Sequence, residues 1–455
     1  MKEFHEIRDP IHVFVKLADD EREVVNSRPF QRLRYIHQLA LTYLVYPGAT
    51  HRRFEHSLGV MELATRIFDV VTAPGNVPPE LRELLPELTN SDHLRSWRKI
   101  LRAAALTHDL GHLPFSHAAE KELLLPDCTH ETLSAAHIGS PEMRRCWGAM
   151  KPEPRPADIV KLALGPAGAA ELRPRRRLSA WETILADIIV GDAFGADRMD
   201  YLLRDSHHAG VAYGKFDHYR LVDTMRILPA APVDEKEKDG PTRPVLGIEE
   251  GGLHSAEALL LARYFMYTQL YFHPVRRIYD LHLKEFLSAW LPQGRFSVDP
   301  AEHLLLTDNE VTAAISKAAG DPAAPGHDPA RRIVRREHYR LLYERSPQDV
   351  AVNRAAGGLV FAALGRQFGR ANFRHDRYTE TSKPTEFPVR MRDGRISAAT
   401  ALSTPIANLP RLAVDSVYVE PRLRDRAQAW LDRRRAEIIR PPAQETDHDH
   451  AGHTP

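Results

Sequence analysis

Cysteine is almost missing from this chain: Cys128 and Cys146 are the only two in 455 residues, and they form no C-x-x-C spacing. That rules against a disulfide framework or a thiolate zinc site and points to a reducing, cytoplasmic setting. No apolar run approaches the roughly 18 residues of a membrane span. Residues 1–14 lack an apolar stretch behind a basic start, so no secretory signal is expected. Excess charge of either sign is missing too, because 62 basic and 61 acidic side chains leave a formal net charge of +1. A whole-chain polyanion-binding surface is therefore not indicated, and only local basic clusters remain open. The length allows one large core with an appended lobe, or two to three domains. What the chain has in quantity is histidine: 24 residues, several between positions 51 and 130 and again at 207–208. Clusters of a side chain that titrates near neutrality invite a metal or acid–base reading.

Apolar spacing predicts a mainly helical protein. Helices are expected over 29–46, started by Pro29 and ended at Pro47-Gly48, and over 54–72, 95–112, 131–137, 181–205, 254–290, 309–318 and 334–345. Strand-like pieces are few: Val245 to Ile248, Phe387 to Met391 and Arg411 to Val419. Loops are expected at 148–178, 229–243 and 319–331, and a disordered tail from Pro441 whose histidines (His448, His450, His453) have no supporting shell for a metal. The division expected is a helical core over 1–295, a small mixed α+β C-terminal lobe over 296–440, and the tail over 441–455.

The most informative stretch runs from His108-Asp109-Leu110-Gly111-His112 to Pro114-Phe115-Ser116-His117, with His130 beyond it. Adjacent His and Asp leave a helix about 100° apart, so both can reach one ion at the helix end. Imidazole and carboxylate together suit Fe, Mn, Zn or Ni rather than soft copper. Upstream, His56 starts an amphipathic helix. Downstream, Asp197-Arg198-Met199-Asp200-Tyr201 and Arg204-Asp205 set acids beside arginines. Taken singly, His56 or Asp197 reads as a helix cap or an ion-pair residue. In the order H…HD…D they form the ligand pattern of the HD phosphohydrolase superfamily.

A closer resemblance rests on three co-ordered blocks: Phe30 to Arg34 with Gln38-Leu39, Tyr46 to His51 and Arg53 to Val60; His108 to His117; and Asp197 to Gly210. Over residues 5–290 these resemble the dNTP triphosphohydrolases, a family with vertebrate antiviral and bacterial members; beyond 300 the resemblance is thin. It implies an HD-domain helical bundle that releases inorganic triphosphate from a deoxynucleoside triphosphate. It also implies metal ligation by His56, His108, Asp109 and Asp197, with Mg or Mn accompanying the triphosphate. Arg53, Arg198 and Arg263 would hold phosphates. Among His112, His117 and His130, with Glu120 where relatives carry aspartate, one histidine would protonate the departing 5′ oxygen, His117 being the first choice. Gln38 and Asp205 would bond the 3′-hydroxyl, Leu39 and Tyr271 would wall off a 2′-hydroxyl, and Tyr201 and Tyr267 would contact substrate.

The resemblance further implies a homo-tetramer, or a dimer, assembled by an activating nucleotide bound at Gln31, Arg34 and Arg226. Asn26 departs from the aspartate that reads guanine, which puts guanine activation in question. The Arg-rich stretch Arg144, Arg145, Arg173, Arg175, Arg176 and Arg177 has no family counterpart and reads as a solvated loop or a nucleic-acid or protein contact. Relatives in bacteria drain dNTPs in phage defence. Two other readings stay open: an HD phosphohydrolase for another phosphoester, such as a nucleoside monophosphate or cyclic dinucleotide, and a nucleotide-sensing or single-strand-binding protein without turnover.

Overall fold

The computed structural model describes residues 4–116, 120–172, 177–230, 243–380 and 385–440. The chain opens with the hairpin β1 (His5–Asp9) and β2 (Val13–Leu17). Helices then dominate: α1 (Arg53–Val71), α2 (Ser91–Thr107), α3 (His130–Ile138), α4 (Pro156–Glu171), α5 (Ala180–Val190) and α6 (Ala196–Ala209). Strands β3 (Met225–Ala230) and β4 (Arg243–Glu249) precede α7 (Leu253–Met266), α8 (Pro274–Trp290), α9 (Asp308–Gly320) and α10 (His327–Val334). The chain continues through β5 (Arg340–Glu344), α11 (Ala356–Phe368), β6 (Phe373–Thr379), β7 (Pro388–Arg390), β8 (Ile396–Ala398), β9 (Ala413–Val419) and α12 (Arg424–Ile438). The fold is thus mainly α, with small sheets and a small α+β part towards the C-terminus. No helix among the described residues is long and apolar enough to cross a membrane.

Two compact units are formed: Met1–Arg336 with Thr381–Arg411, and Glu337–Glu380 with Leu412–Pro455. The first holds a core in which α1, α2, α5 and α6 bury residues such as Leu63, Phe68, Leu101, Trp181, Ile188 and Met199. A second cluster in the same unit packs Tyr279 and Phe286 of α8 with Phe296, Val311, Ile315 and Ile333. Helices α9 and α10 bury their apolar faces on α8 and so belong to the first unit. The sheet β3-β4-β7-β8 is also there, with β4 and β7 parallel. In the second unit β5, β9 and β6 form an antiparallel sheet, on which Val417, Val419 and Phe373 pack with Val360, Leu364, Ala427 and Leu431 of α11 and α12.

Several expectations are corrected. Residues 29–46 are not one helix but a helical turn Arg28–Arg32, two 3-10 turns Leu33–Tyr35 and Ala40–Leu44, and an extended link between them. Competing partners pull that link straight: the His37 N–H donates to Asp308 at 2.7 Å and the Gln38 N–H donates to the His51 carbonyl at 3.0 Å. The helix expected over 181–205 breaks at Gly191 and Gly195 into α5 and α6. Between α7 and α8 lies a π-helical turn, Tyr267–Tyr271. Within 148–178, expected as loop, α4 forms with a kink at Gly165, whose φ is 67°. Within 334–345, expected as helix, β5 forms instead because ladder bonds to β9 outweigh local propensity.

Helix α1 is started by Glu55, whose carboxylate accepts from the Arg52 N–H at 2.7 Å. It crosses α6 closely at Gly59, where a methyl group would overlap the Asp200 carboxylate and the Arg204 guanidinium. Gly59→Ala is therefore expected to lower the free energy of urea unfolding by about 1–3 kcal/mol. An unchanged midpoint would show that the two helices have slack there.

Candidate metal centre and its surroundings

Helix α1 places His56 near its first turn, α2 ends one residue before His108, and α6 carries Asp197 in its first turn. Three chain segments distant in sequence thus converge. His56 Nε2 lies 3.0 Å from Asp197 Oδ1 and 3.7 Å from Asp109 Oδ2. His108 Nε2 lies 3.3 Å from Asp109 Oδ1 and 3.7 Å from Asp197 Oδ1. Ligand atoms of His56, His108 and Asp197 fall within 4.8 Å of one another. Asp109 stands beside this trio, its other oxygen bonded to the Arg53 guanidinium.

Each imidazole is fixed from behind. His108 Nδ1 donates to the Ala105 carbonyl at 2.8 Å, which leaves Nε2 facing the carboxylates. That nitrogen is buried and has no hydrogen-bond partner among the described residues. His56 Nδ1 is held at 2.8 Å by Asp200 Oδ2, so its Nε2 also faces inward. Asp200 is itself fully buried; its oxygens accept from His12 Nε2 at 2.7 Å and from Arg204 at 2.8 and 2.9 Å. Arg204 reaches on to Asp9 at 2.8 Å, and Asp9 Oδ1 receives the Ile11 and His12 N–H groups. The N-terminal hairpin is therefore wired to a candidate ligand.

The cluster gathers buried carboxylates that stay ionised. Burial opposes ionisation of Asp109, Asp197 and Asp200, yet cationic and hydrogen-bonding neighbours hold all three below the ordinary carboxylate range: Arg53 for Asp109, His108 and His56 for Asp197, Arg204 for Asp200. Burial likewise opposes a charge on His56, but Asp197 and Asp200 push its pKa up to about 10. The neighbouring carboxylates thus favour positive charge at this position. The donors are nitrogen and oxygen, as Fe, Mn, Zn or Ni prefer, and the unpartnered His108 Nε2 is an orphan that such an ion would satisfy. The residues present fit a divalent metal.

Beside this cluster sits a second one. His112 lies 3.2 Å from Asp109 Oδ1 and stacks on His130 with ring centroids 4.1 Å apart. His130 Nδ1 bonds Glu120 Oε1 at 2.6 Å, and the same oxygen accepts from the His130 backbone N–H at 2.7 Å. Burial and the nearby Arg53 hold His112 well below its usual pKa; burial also opposes protonation of His130, but Glu120 raises it. The two stacked rings are thus shifted in opposite directions. The longer glutamate side chain still reaches its histidine. His117 lies outside the described residues.

The other expected residues form two further groups. Asp205 accepts from Tyr271 Oη at 2.6 Å and pairs with His51 Nε2 at 2.7 Å. The Gln38 N–H bonds the His51 carbonyl, and its buried Oε1 has no partner among the described residues. Leu39 is buried at 6% exposure. Tyr271 meets Tyr267 and Tyr201 edge to face at 5.0 and 6.2 Å, and Arg263 covers the Tyr267 ring at 5.0 Å. Burial raises the Tyr201 pKa well above 10, and Tyr267, Arg198, Arg263 and Asp197 make up its charged and polar surroundings. Arg198 itself bonds Asp192 at 3.2 Å. The expected activator residues divide: Gln31 accepts from Arg34, which covers Phe54 at 3.5 Å, and Asn26 is exposed nearby in sequence. Arg226 is tied instead to Glu249, which it shares with Arg390.

With that geometry, the comparisons with known proteins decide the family. The HD domain matches residues 53–148 and the HD associated region matches residues 216–354. The chain belongs to the HD-domain family. It is 34% identical over 282 residues to the protein YwfO of Bacillus subtilis (62% of this chain, 54% of that one). It is 29% identical over 374 residues to deoxynucleoside triphosphate triphosphohydrolase SAMHD1 of Gallus gallus (75% of this chain, 56% of that one). The chain thus spans about half the length of these curated relatives. Its fold is also similar to the crystal structure of a hypothetical protein from Aquifex aeolicus, with a TM-score of 0.73, 31% identity, and coverage of 94% of this chain and 100% of that one.

Sequence reasoning gave no role to Asp200, Arg204, His12 or His51. Asp200 and Arg204 had a signal, since they stand three and seven positions after Asp197 on one side of α6. His12 had none. Asp200→Asn keeps the size but removes the charge that orients His56. It is expected to weaken Mn binding by about 10- to 100-fold in calorimetric titration. Unchanged affinity would show that His56 needs no such partner.

Proposed function

We propose that the chain is a metal-dependent triphosphohydrolase that cleaves deoxynucleoside triphosphates to deoxynucleoside and inorganic triphosphate. The observation that carries this reading is the juxtaposition of the His56, His108, Asp109 and Asp197 cluster with the His112–Glu120–His130 group, bridged by Arg53 and Asp109. A divalent ion held by the first four residues would polarise an α-phosphate oxygen and lower the pKa of a bound water.

The protein's own side chains do the rest. Arg53, anchored by Ser116 Oγ at 2.8 Å and by Asp109, presents a guanidinium beside the ligands, and Arg198 and Arg263 supply two more for the phosphate chain. The bond to the 5′ oxygen breaks as oxygen from water joins phosphorus, and the departing oxygen takes a proton. Of the two described histidines of that group, His130 is the one bonded to Glu120, at 2.6 Å, and raised by it, so it is the proposed donor, directly or through His112. Asp205, oriented by His51 and Tyr271, and Gln38, whose side-chain oxygen is buried without a partner among the described residues, hold the 3′-hydroxyl. Leu39 and the Tyr271 ring close the space a 2′-hydroxyl would need, so selection for deoxyribose is by exclusion.

The reading extends to activation by a nucleotide near Asn26, Gln31, Arg34 and Arg226, to a homo-tetramer, and to depletion of dNTPs as a means of starving a replicating phage. Incubation with each dNTP alone and in pairs, with Mn or Mg, tests the chemistry. Triphosphate and deoxynucleoside are expected, and Asp109→Ala should abolish their release. Release of pyrophosphate or phosphate instead would move the chain to another HD phosphohydrolase activity, and full activity in Asp109→Ala would remove the metal assignment.

A further inference from the structure

Helix α2 carries Arg95, Arg98, Lys99 and Arg102 at positions i, i+3, i+4 and i+7, so four cations share one helix face. Like charges at that spacing repel one another, and the face is turned to a cleft of about 510 Å³. Its other walls add Lys16 of β2, Arg66 of α1 and Lys151. Only three carboxylates share the lining, Glu21, Glu62 and Asp69. Each is already taken: Glu21 by Arg102, Asp69 by Arg98 at 2.7 and 2.8 Å, Glu62 by Arg66 at 3.1 Å.

Lys99 and Arg95 pair with Asp20 and Asp92, which lie outside the lining. The ammonium groups of Lys16 and Lys151 make no hydrogen bond or ion pair among the described residues. The cleft floor is built, not frayed: Arg102 is 7% exposed and is pinned by Glu21, by Thr65 Oγ1 at 2.7 Å and by the Lys16 carbonyl at 2.7 Å. Phe4 stands at the rim, 43% exposed.

We propose that this cleft binds a triphosphate chain, carried by a nucleotide or free as the inorganic anion, at a site separate from the catalytic cluster. None of the ligand, acid–base or sugar-contacting residues lines it. The size is that of a small-molecule site rather than a protein-docking surface. Lys16 and Lys151, the two lining cations left without a carboxylate among the described residues, suit adjacent phosphates better than a single carboxylate. Phe4 offers a face on which a base can stack. Because the binding does not depend on any chemistry at the metal cluster, its test is independent of the proposed reaction.

The test is site-resolved lysine acylation of the full chain, read by mass spectrometry. The additives are tripolyphosphate, ATP, sodium sulfate at matched ionic strength, and a single-stranded oligothymidylate. Modification of Lys16 and Lys151 is expected to fall about fivefold at saturating tripolyphosphate or ATP, with Lys317 unchanged as a control and sulfate without effect. Half-protection at lower ATP than tripolyphosphate makes the ligand a nucleotide, and the reverse makes it the free anion; both support the site. Unprotected lysines, equal protection by sulfate, or protection by the oligonucleotide alone overturns the proposal. The exposed pair Arg95→Ala and Lys151→Ala, changed together, should raise the half-protecting concentration at Lys16 about tenfold. No change in that concentration overturns the proposal as well.

Discussion

Taking a carboxylate wholly out of water costs several kcal/mol unless charges and hydrogen bonds replace the solvent it loses. Asp200 recovers that cost through contacts that also build the site. One oxygen faces His56 and Arg204, and the other faces His12 and Arg204. The same contacts tie α1 to α6, hold the hairpin β1–β2 on the core through Asp9 and His12, and turn the His56 ring. Gly59 is the concession that lets the two helices come close enough. A ligand near the first turn of a helix would otherwise be free to rotate, and its nitrogen would point wherever packing left it.

The rest of the site follows from the partition of charge. Asp109 sits between the two clusters, sharing one oxygen with Arg53 and turning the other to His108 and His112. Arg53 lowers the Asp109 pKa against burial, burial and Arg53 lower His112, and Glu120 raises His130 against burial. Groups with similar intrinsic pKa values are pushed apart within a few ångströms, which is the condition for one to receive and another to give a proton. The tyrosine cluster and Asp205 are supplied by α6 and by the π-turn between α7 and α8. Such turns widen a helix locally and are frequent at functional sites.

How much of this was legible in the sequence varies with the range of the interaction. His56, His108, Asp109 and Asp197 stand out because each sits in a short motif, and those motifs come in a fixed order. Helices with a long apolar stripe, such as α1 and α2, are legible for the same local reason. The straightened link at His37 and Gln38 was not, because its shape is set by Asp308 and His51, one of them far along the chain. Nor was β5 visible, since Tyr-Arg-Leu-Leu-Tyr reads as helix until β9 offers it a ladder. His12 lies nearly 200 residues from the carboxylate it serves, and nothing local marks it.

The central claim is that four side chains form one metal site whose charge and orientation organise everything around it. Metal content per chain, measured by mass spectrometry of the elements after purification and dialysis, addresses it directly. One divalent ion per chain is expected in the wild-type protein and almost none in Asp197→Ala or His108→Ala, with folded far-UV spectra in all three. A folded wild-type protein that retains no ion after incubation with Mn, Fe, Zn or Ni, or variants that retain it fully, would contradict the account.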